Sequence, residues 1–129
     1  MNPIRRALLL SALCLIVPMT TQAATQKPFD AQAFEAAQAA NAPILVHVTA
    51  PWCGTCKIQK PIVADLAQRP DFADLVIFDV DFDSQADVVQ SFKVQYQSTM
   101  ITFKGRKETF RVVGATDPKA IEDIVRKAY

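Results

Sequence analysis

Residues 44–49 (ILVHVT) form a short, mostly apolar and β-branched run, and this run constrains the fold more than any other feature of the chain. The run is bounded by Pro43 and Pro51, and a continuous apolar stretch of this length is typical of a strand that is buried on both faces. Two cysteines, Cys53 and Cys56, follow directly. The predicted strand therefore places a closely spaced thiol pair just beyond its carboxyl end.

Helical and strand patterns alternate along the rest of the chain. Helices are predicted at 30–40, 53–68, 84–92 and 117–129, and strands at 44–49, 75–81, 98–103 and 108–114. Ser84 is expected to cap the third helix, and Asp117 or Thr116 the last. Because a helix joins the first two strands, these strands should be parallel, whereas the last two form an antiparallel hairpin. The prediction is an α/β fold with a mixed four-stranded sheet and helices on both faces.

The first 23 residues have the layout of a secretory signal peptide. Arg5 and Arg6 precede an apolar run at 7–17, and small residues lead to an expected cleavage site after Ala23. The run is too short for an ordinary membrane span, so no stable span is expected after processing, with an uncleaved anchor as the alternative. The sequence predicts an exported protein, periplasmic if the source is a Gram-negative bacterium. The expected parts are a signal peptide at 1–23, a short lead at 24–29 and one domain at 30–129.

Charge and cysteine content narrow the possible functions. Lys and Arg number 14 and Asp and Glu number 13. Removal of residues 1–23 takes away two arginines and no acidic residue, so 14 − 2 = 12 basic residues face 13 acidic ones, with no basic surplus for nucleic acid or an anionic membrane surface. Cys14 lies in the predicted signal peptide, so Cys53 and Cys56 are the cysteines of the mature chain. A disulfide between them closes too small a loop to stabilise a fold appreciably. A metal site would need further ligands, and His47 is the only histidine. A redox pair is therefore favoured over a metal site.

The sequence WCGTCK at 52–57, with its preceding strand and the order of the following elements, resembles the thioredoxin family. The likeness covers nearly all of residues 30–129, and the cysteine motif differs from the family's WCGPCK only at Thr55. Gly114 lies near the family's glycine before the last helix. The resemblance implies a thioredoxin-like fold and a thiol–disulfide oxidoreductase, that is, a protein-disulfide reductase or interchange enzyme without a cofactor.

Three positions depart from the family pattern. His47 stands where the family usually has a buried aspartate, and Asp79 stands where a lysine often faces that aspartate. Ser98 replaces the cis-proline that lies opposite the cysteines. A cis bond before a non-proline residue costs about 3–4 kcal/mol, so a trans bond before Ser98 is expected. The family's additional N-terminal strand has no clear counterpart in this sequence.

The position of the cysteines predicts the order of the chemistry. Cys53 lies at a helix N-terminus, where unpaired N–H groups and the helix dipole favour the thiolate, the nucleophilic form. Cys53 is expected to attack a substrate disulfide, and Cys56 to resolve the mixed disulfide by closing the Cys53–Cys56 bond. The reverse sequence would introduce a disulfide into a substrate.

The resemblance and strand periodicity together suggest roles for the surrounding residues. His47 and Asp79 are expected to form a buried hydrogen-bonded pair beneath the cysteines, because buried polar groups need partners. His47 then either relays a proton from Cys56 or is a satisfied core residue without a catalytic part. The expected substrate-contacting residues are Trp52, Gly54, Thr55, Ser98, Thr99 and Gly114. For Trp52 the alternative is a partly buried packing role.

The expected partners are protein or small disulfide substrates and an upstream electron donor. The sequence leaves the direction of electron flow open, with a preference for a reductant supplied by another thioredoxin-like protein. Two alternatives of another class remain. One is a thioredoxin-fold carrier of a metal or cluster, in which two chains could share the ion through four cysteines. The other is a non-catalytic binding module.

Overall fold

A computed structural model describes residues 22–129; the predicted signal peptide, apart from its last two residues, lies outside this range. Strands and helices alternate along the described chain. In order they are β1 (Thr25–Pro28), α1 (Ala31–Ala39), β2 (Pro43–Thr49), α2 (Gly54–Ala67), β3 (Val76–Asp81), α3 (Ala86–Ser91), β4 (Thr99–Lys104), β5 (Lys107–Val113) and α4 (Pro118–Arg126). A 3₁₀ turn at Pro70–Phe72 precedes β3. No helix of this part of the chain is long and apolar enough to cross a membrane.

The strands form one mixed sheet in the order β1-β3-β2-β4-β5. Strands β2 and β3 are parallel, and β4 is antiparallel to both β2 and β5, as the connections predicted. The predicted count of four strands is wrong, because β1 adds a fifth, parallel to β3. Strand β1 has four residues and lies at the sheet edge in the predicted lead. Its polar sequence, TQKP, has none of the β-branched or aromatic residues typical of a strand except Thr25. The pairing with β3 therefore defines this strand.

Side-chain caps begin two of the helices, and the cap of the last helix at Asp117 was predicted. Asp30 accepts a hydrogen bond from the Ala33 amide at the start of α1, and Asp117 accepts one from the Ala120 amide at the start of α4, both at 2.8 Å. Ser84 does not cap α3, contrary to the prediction. Its amide and hydroxyl both donate to the carboxylate of Asp81 instead, which fixes the turn that follows β3.

Two apolar layers cover the faces of the sheet. One layer joins α2 and α4 to the sheet around Leu45, and the other joins α1 and α3 around Val46. The second layer contains a cluster of aromatic rings, Phe29, Phe34, Phe78, Phe92 and Phe103. Because side chains alternate along β2 and every residue of this strand is buried, His47 lies on the α2 and α4 side with Leu45.

Candidate active site

The two cysteines lie where β2 passes into α2. Cys53 is the N-cap residue of α2, and its sulfur accepts a hydrogen bond from the Cys56 amide at 3.0 Å. The two residues are joined as a disulfide, with their Cα atoms 5.3 Å apart. The structure thus confirms the predicted location of Cys53 at the helix start. An amide of the first turn points at its sulfur, which would stabilise a thiolate there after reduction.

The two sulfur-bearing residues differ in their access to solvent. Cys53 is 3% exposed and Cys56 is fully buried, with Ala50 and Phe82 packed around the pair. Cys53 is therefore the less enclosed residue of the pair. The assignment of Cys53 as nucleophile and Cys56 as resolving thiol stays a prediction.

Trp52 forms an exposed apolar rim beside the disulfide. Its side chain is 58% exposed, and its indole N–H donates to the carboxylate of Asp83 at 2.8 Å. Asp83 in turn lies in the turn held by Asp81, whose carboxylate accepts the Asp83 amide. The indole is thereby fixed in place while its apolar surface faces solvent, so the alternative of a packing residue does not describe Trp52.

Gly54 and Thr55, between the cysteines, lie at the surface end of α2. Gly54 is exposed, and a β-carbon built there would meet no heavy atom within 4 Å. Thr55 is half-buried. The backbone next to Cys53 is therefore open to an approaching substrate chain.

His47 and Asp79 are neighbours but not hydrogen-bonding partners. They face each other across β2 and β3, with His47 Nδ1 and Asp79 Oδ1 3.8 Å apart, which is too long for a hydrogen bond. Asp79 is 38% exposed and accepts a hydrogen bond from Gln26 of the neighbouring segment at 2.9 Å. The prediction of a buried hydrogen-bonded pair is therefore wrong, because the two side chains stay 3.8 Å apart and Asp79 is 38% exposed.

Gln59 is the partner of His47 and was missed from the sequence. It is completely buried, and its Oε1 lies 3.0 Å from His47 Nε2. Gln59 lies three residues after Cys56, so the two residues share the buried face of α2. A polar residue at a position of the buried face was the sequence signal that could have indicated its role. The apolar residue before Gln59, Ile58, is 51% exposed, so apolar character alone does not mark the buried face of α2.

The contacts of Gln59 also fix which nitrogen of His47 carries the proton. The Gln59 amide nitrogen faces the backbone carbonyls of Ser98 and Ala115, at 3.2 and 2.9 Å. Since carbonyl oxygens only accept, the amide NH₂ must face them, and its oxygen must face His47. His47 Nε2 therefore donates, and in the neutral ring the basic atom is Nδ1, on the Asp79 side.

Burial dominates the protonation of His47. Desolvation lowers the pKa of His47 below its ordinary value of 6.5. The hydrogen bond to Gln59 and the charge of Asp79 oppose this shift, whereas the charge of Lys60 adds to it. The net direction is downward, so the ring is neutral in the folded protein near neutral pH.

This shift predicts a pH-dependent stability. Below about pH 6.5 the unfolded chain binds a proton at His47 that the folded protein does not, so the free energy of unfolding should fall as pH decreases from that value, by at most about 1.4 kcal/mol per pH unit. The loss should stop once the pH lies below the folded pKa. Urea unfolding between about pH 7 and 5 measures it, with His47→Gln as the non-titrating control. Equal slopes for the two proteins would contradict the prediction.

Ser98 occupies a strained position. The structure has no cis peptide bond within residues 22–129, so the bond before Ser98 is trans, as predicted. Its φ angle is +62°, in the left-handed region that a residue other than glycine rarely adopts. Its carbonyl accepts hydrogen bonds from the Gly114 amide at 3.0 Å and from Gln59.

The predicted substrate-contacting residues divide into two groups. Trp52, Gly54 and Gly114 are exposed, and Gly114 has a φ of +79° that suits glycine. Ser98 and Thr99 are 5% and 2% exposed, so their side chains are not at the surface of the oxidised protein. The Thr99 hydroxyl instead donates to the Tyr96 carbonyl at 2.6 Å. Tyr96, which the sequence analysis did not predict as a site residue, is 60% exposed.

The described residues offer no group of three His, Cys, Asp or Glu side chains that could hold a metal ion. Cys53 and Cys56 supply two thiols, and His47 directs one ring nitrogen at Gln59. A shared metal would therefore need ligands from outside this part of the chain, such as the cysteines of a second copy.

Comparison with known proteins identifies the family. Residues 22–127 match the family described as Thioredoxin. Rice Thioredoxin H2-2 is 41% identical over 75 residues, which are 58% of this chain and 54% of the rice protein. Thioredoxin-2 of Saccharomyces cerevisiae is 37% identical over 82 residues, 64% of this chain and 76% of the yeast protein. Some of the relatives thus extend well beyond the matched region.

A solved structure matches both in sequence and in fold. Trxlp from Edwardsiella tarda EIB202 superposes with a TM-score of 0.76 and is 40% identical, covering 78% of this chain and 98% of that one. The sheet, the flanking helices and the cysteine pair at the start of α2 agree with the family match. The chain belongs to the thioredoxin family of thiol–disulfide oxidoreductases.

Proposed function

We propose that this protein is exported and uses the Cys53–Cys56 pair to reduce, or exchange, disulfides of other exported proteins. The observation that carries the proposal is the Cys53–Cys56 disulfide with the Cys53 sulfur at the N-cap of α2, next in sequence to the exposed side chain of Trp52. The signal-like sequence of residues 1–23 supports export.

The reaction follows from the geometry of the pair. In the reduced protein the Cys53 thiolate attacks one sulfur of a substrate disulfide and forms a mixed disulfide, while the other substrate sulfur leaves as a thiolate and takes up a proton. Cys56 then loses its proton, attacks Cys53 and releases the second substrate thiol. Two electrons pass to the substrate, and the Cys53–Cys56 disulfide remains.

A donor must reduce this disulfide again before the next turnover. A dithiol protein is the simplest donor because it reacts by the same exchange. We expect another thioredoxin-like protein to supply the electrons. In the opposite direction an oxidant would keep the pair as a disulfide, and the protein would oxidise substrate thiols.

One experiment tests location and direction together. The full chain is expressed in a Gram-negative host, cells are quenched with acid, free thiols are alkylated, and the periplasmic fraction is analysed by mass spectrometry. We expect a periplasmic chain that begins at Ala24 with Cys53 and Cys56 mostly alkylated, as for a reductant. A cytoplasmic chain with an intact N-terminus would contradict export, and an unalkylated pair would indicate an oxidant.

Insulin reduction by purified protein tests the chemistry independently of location. Wild type should accelerate the reduction of insulin disulfides by dithiothreitol, whereas the non-catalytic binding module of the alternative interpretation would not. Metal analysis of anaerobically purified protein addresses the carrier alternative, which predicts bound metal that is lost when the cysteines are replaced.

A further inference from the structure

Gln59 joins three parts of the protein that lie far apart in the sequence. Its oxygen accepts from His47 on β2, and its nitrogen donates to the carbonyl of Ser98, before β4, and to that of Ala115, after β5. Both N–H groups and the oxygen of the carboxamide are thus in use within a side chain that is completely buried.

The two carbonyls belong to segments at the cysteine end of the sheet. Thr99, the first residue of β4, pairs with Val48 near the end of β2, and it also pairs with Val113, the last residue of β5. Strand β2 leads directly to the cysteines. The segments 96–98 and 114–115 therefore lie at the same end of the sheet as Cys53.

Exposed residues lie within these two segments and directly beside them. Tyr96 is 60% exposed and Val113 is 49% exposed, and Gly114 is also exposed. A protein substrate that brings a disulfide to Cys53 is large enough to contact this surface, whereas a small disulfide is not. The conformation of the two segments should therefore matter for protein substrates in particular.

The Ser98 conformation needs support from its surroundings. A left-handed φ at a residue other than glycine persists only where neighbouring contacts determine it. Two hydrogen bonds reach the Ser98 carbonyl, one from Gly114 in the adjoining segment and one from Gln59 beneath. Gln59 also holds Ala115, next to Gly114, so a single side chain fixes both segments relative to α2.

We propose that Gln59 is a positioning residue, which holds the Ser98 and Ala115 segments in the arrangement that docks protein disulfides beside Cys53. The proposal rests on disulfide exchange at Cys53 and does not depend on export. Gln59 itself is buried and does not touch the substrate, so its effect passes through the two backbone segments.

Gln59→Met tests the proposal, because methionine has similar length and removes all three hydrogen bonds. We expect KM for insulin to rise about tenfold, the effect of losing roughly one hydrogen-bonded contact. The rate with a small disulfide, hydroxyethyl disulfide, should stay unchanged. Amide hydrogen exchange of Gly114, whose N–H donates to Ser98, should become faster.

Thr102→Val is the matched control for general destabilisation. Thr102 is completely buried, and its hydroxyl shares a hydrogen bond at 2.8 Å with Thr109, a residue to which Gln59 makes no hydrogen bond. This change should lower stability while leaving KM for insulin and Gly114 exchange as in wild type. Kinetics are compared at a temperature at which all variants are folded.

Gln59→Leu is the second variant should Gln59→Met fail to fold. Its apolar side chain can make none of the three hydrogen bonds, so the same rise in KM is expected. A Gln59 variant with wild-type KM for insulin and wild-type Gly114 exchange would overturn the proposal. An equal loss with both substrates, matched by Thr102→Val, would also overturn it.

Failure of the enzymatic function is distinguishable from failure of this proposal. If wild type does not reduce insulin, the reductase function fails, and Gly114 exchange alone then decides the positioning role. Faster exchange in Gln59→Met would support the positioning of the segments, and unchanged exchange would refute it.

Discussion

Cys53→Ser is expected to abolish disulfide reduction, whereas Cys56→Ser should leave the protein covalently joined to its substrates. Cys53 is the cysteine with access to solvent, and its sulfur lies at the N-cap of α2, so its removal eliminates the attacking thiolate. Without Cys56 the attack still occurs, but nothing within the protein resolves the mixed disulfide. Insulin reduction measures the first result, and non-reducing electrophoresis with mass spectrometry measures the second.

The matched control for these variants is Cys14→Ser in the full chain, which leaves the Cys53–Cys56 pair intact. This variant should retain wild-type reductase activity. Mixed disulfides that form through Cys56 in the Cys53→Ser protein, with yields like those of Cys56→Ser, would show that the two roles have been assigned the wrong way round.

Ser98→Pro is expected to destabilise the protein, and Ser98→Gly to stabilise it slightly. Proline fixes φ near −65°, which is incompatible with the observed +62°, so its cost should exceed about 1 kcal/mol. Glycine relieves a left-handed strain of about 1–2 kcal/mol, partly offset by about 0.5–1 kcal/mol of unfolded-chain entropy. Denaturant unfolding of the oxidised proteins measures both changes.

The Ser98→Pro result also bears on substrate choice. If Ser98→Pro keeps wild-type stability, the backbone around residue 98 has adopted a different conformation. The rate of insulin reduction by this variant then measures how the new conformation affects a protein substrate. If Ser98→Gly is less stable than wild type by more than about 1 kcal/mol, the serine hydroxyl contributes something that the left-handed backbone does not explain.

Local chemistry made much of the fold and the reactive centre predictable. The apolar run of β2 and the helix-forming residues after Cys53 specify their own conformations, and the caps at Asp30 and Asp117 use contacts only three residues away. For these elements the relevant forces act between near neighbours in sequence. The location of Cys53 at a strand end and helix start was therefore predictable from the sequence alone.

Features that depend on distant neighbours were not predictable in the same way. Strand β1 exists because β3 pairs with it, 51 residues later at Thr25 and Val76, and its own polar sequence does not indicate a strand. The exposure of Ile58 and the burial of Gln59 follow from the rotation of α2 against the sheet. The spacing of apolar residues along α2 predicts which face of the helix is buried only to within about one residue.

The sequence by itself determined the order of the elements after β1, the redox pair and the thioredoxin likeness, because motif spacing and short-range propensities encode them. Only the tertiary structure decided the polar contacts beneath the pair. Strand register brings His47 opposite Asp79, yet Nδ1 of His47 and Oδ1 of Asp79 stay 3.8 Å apart. Gln26 from the edge strand donates to Oδ2 of Asp79, and the hydrogen-bonding partner of the imidazole is Gln59. Hydrogen bonds are satisfied by whichever groups the packed chain brings within about 3 Å, and that choice is made across the whole fold.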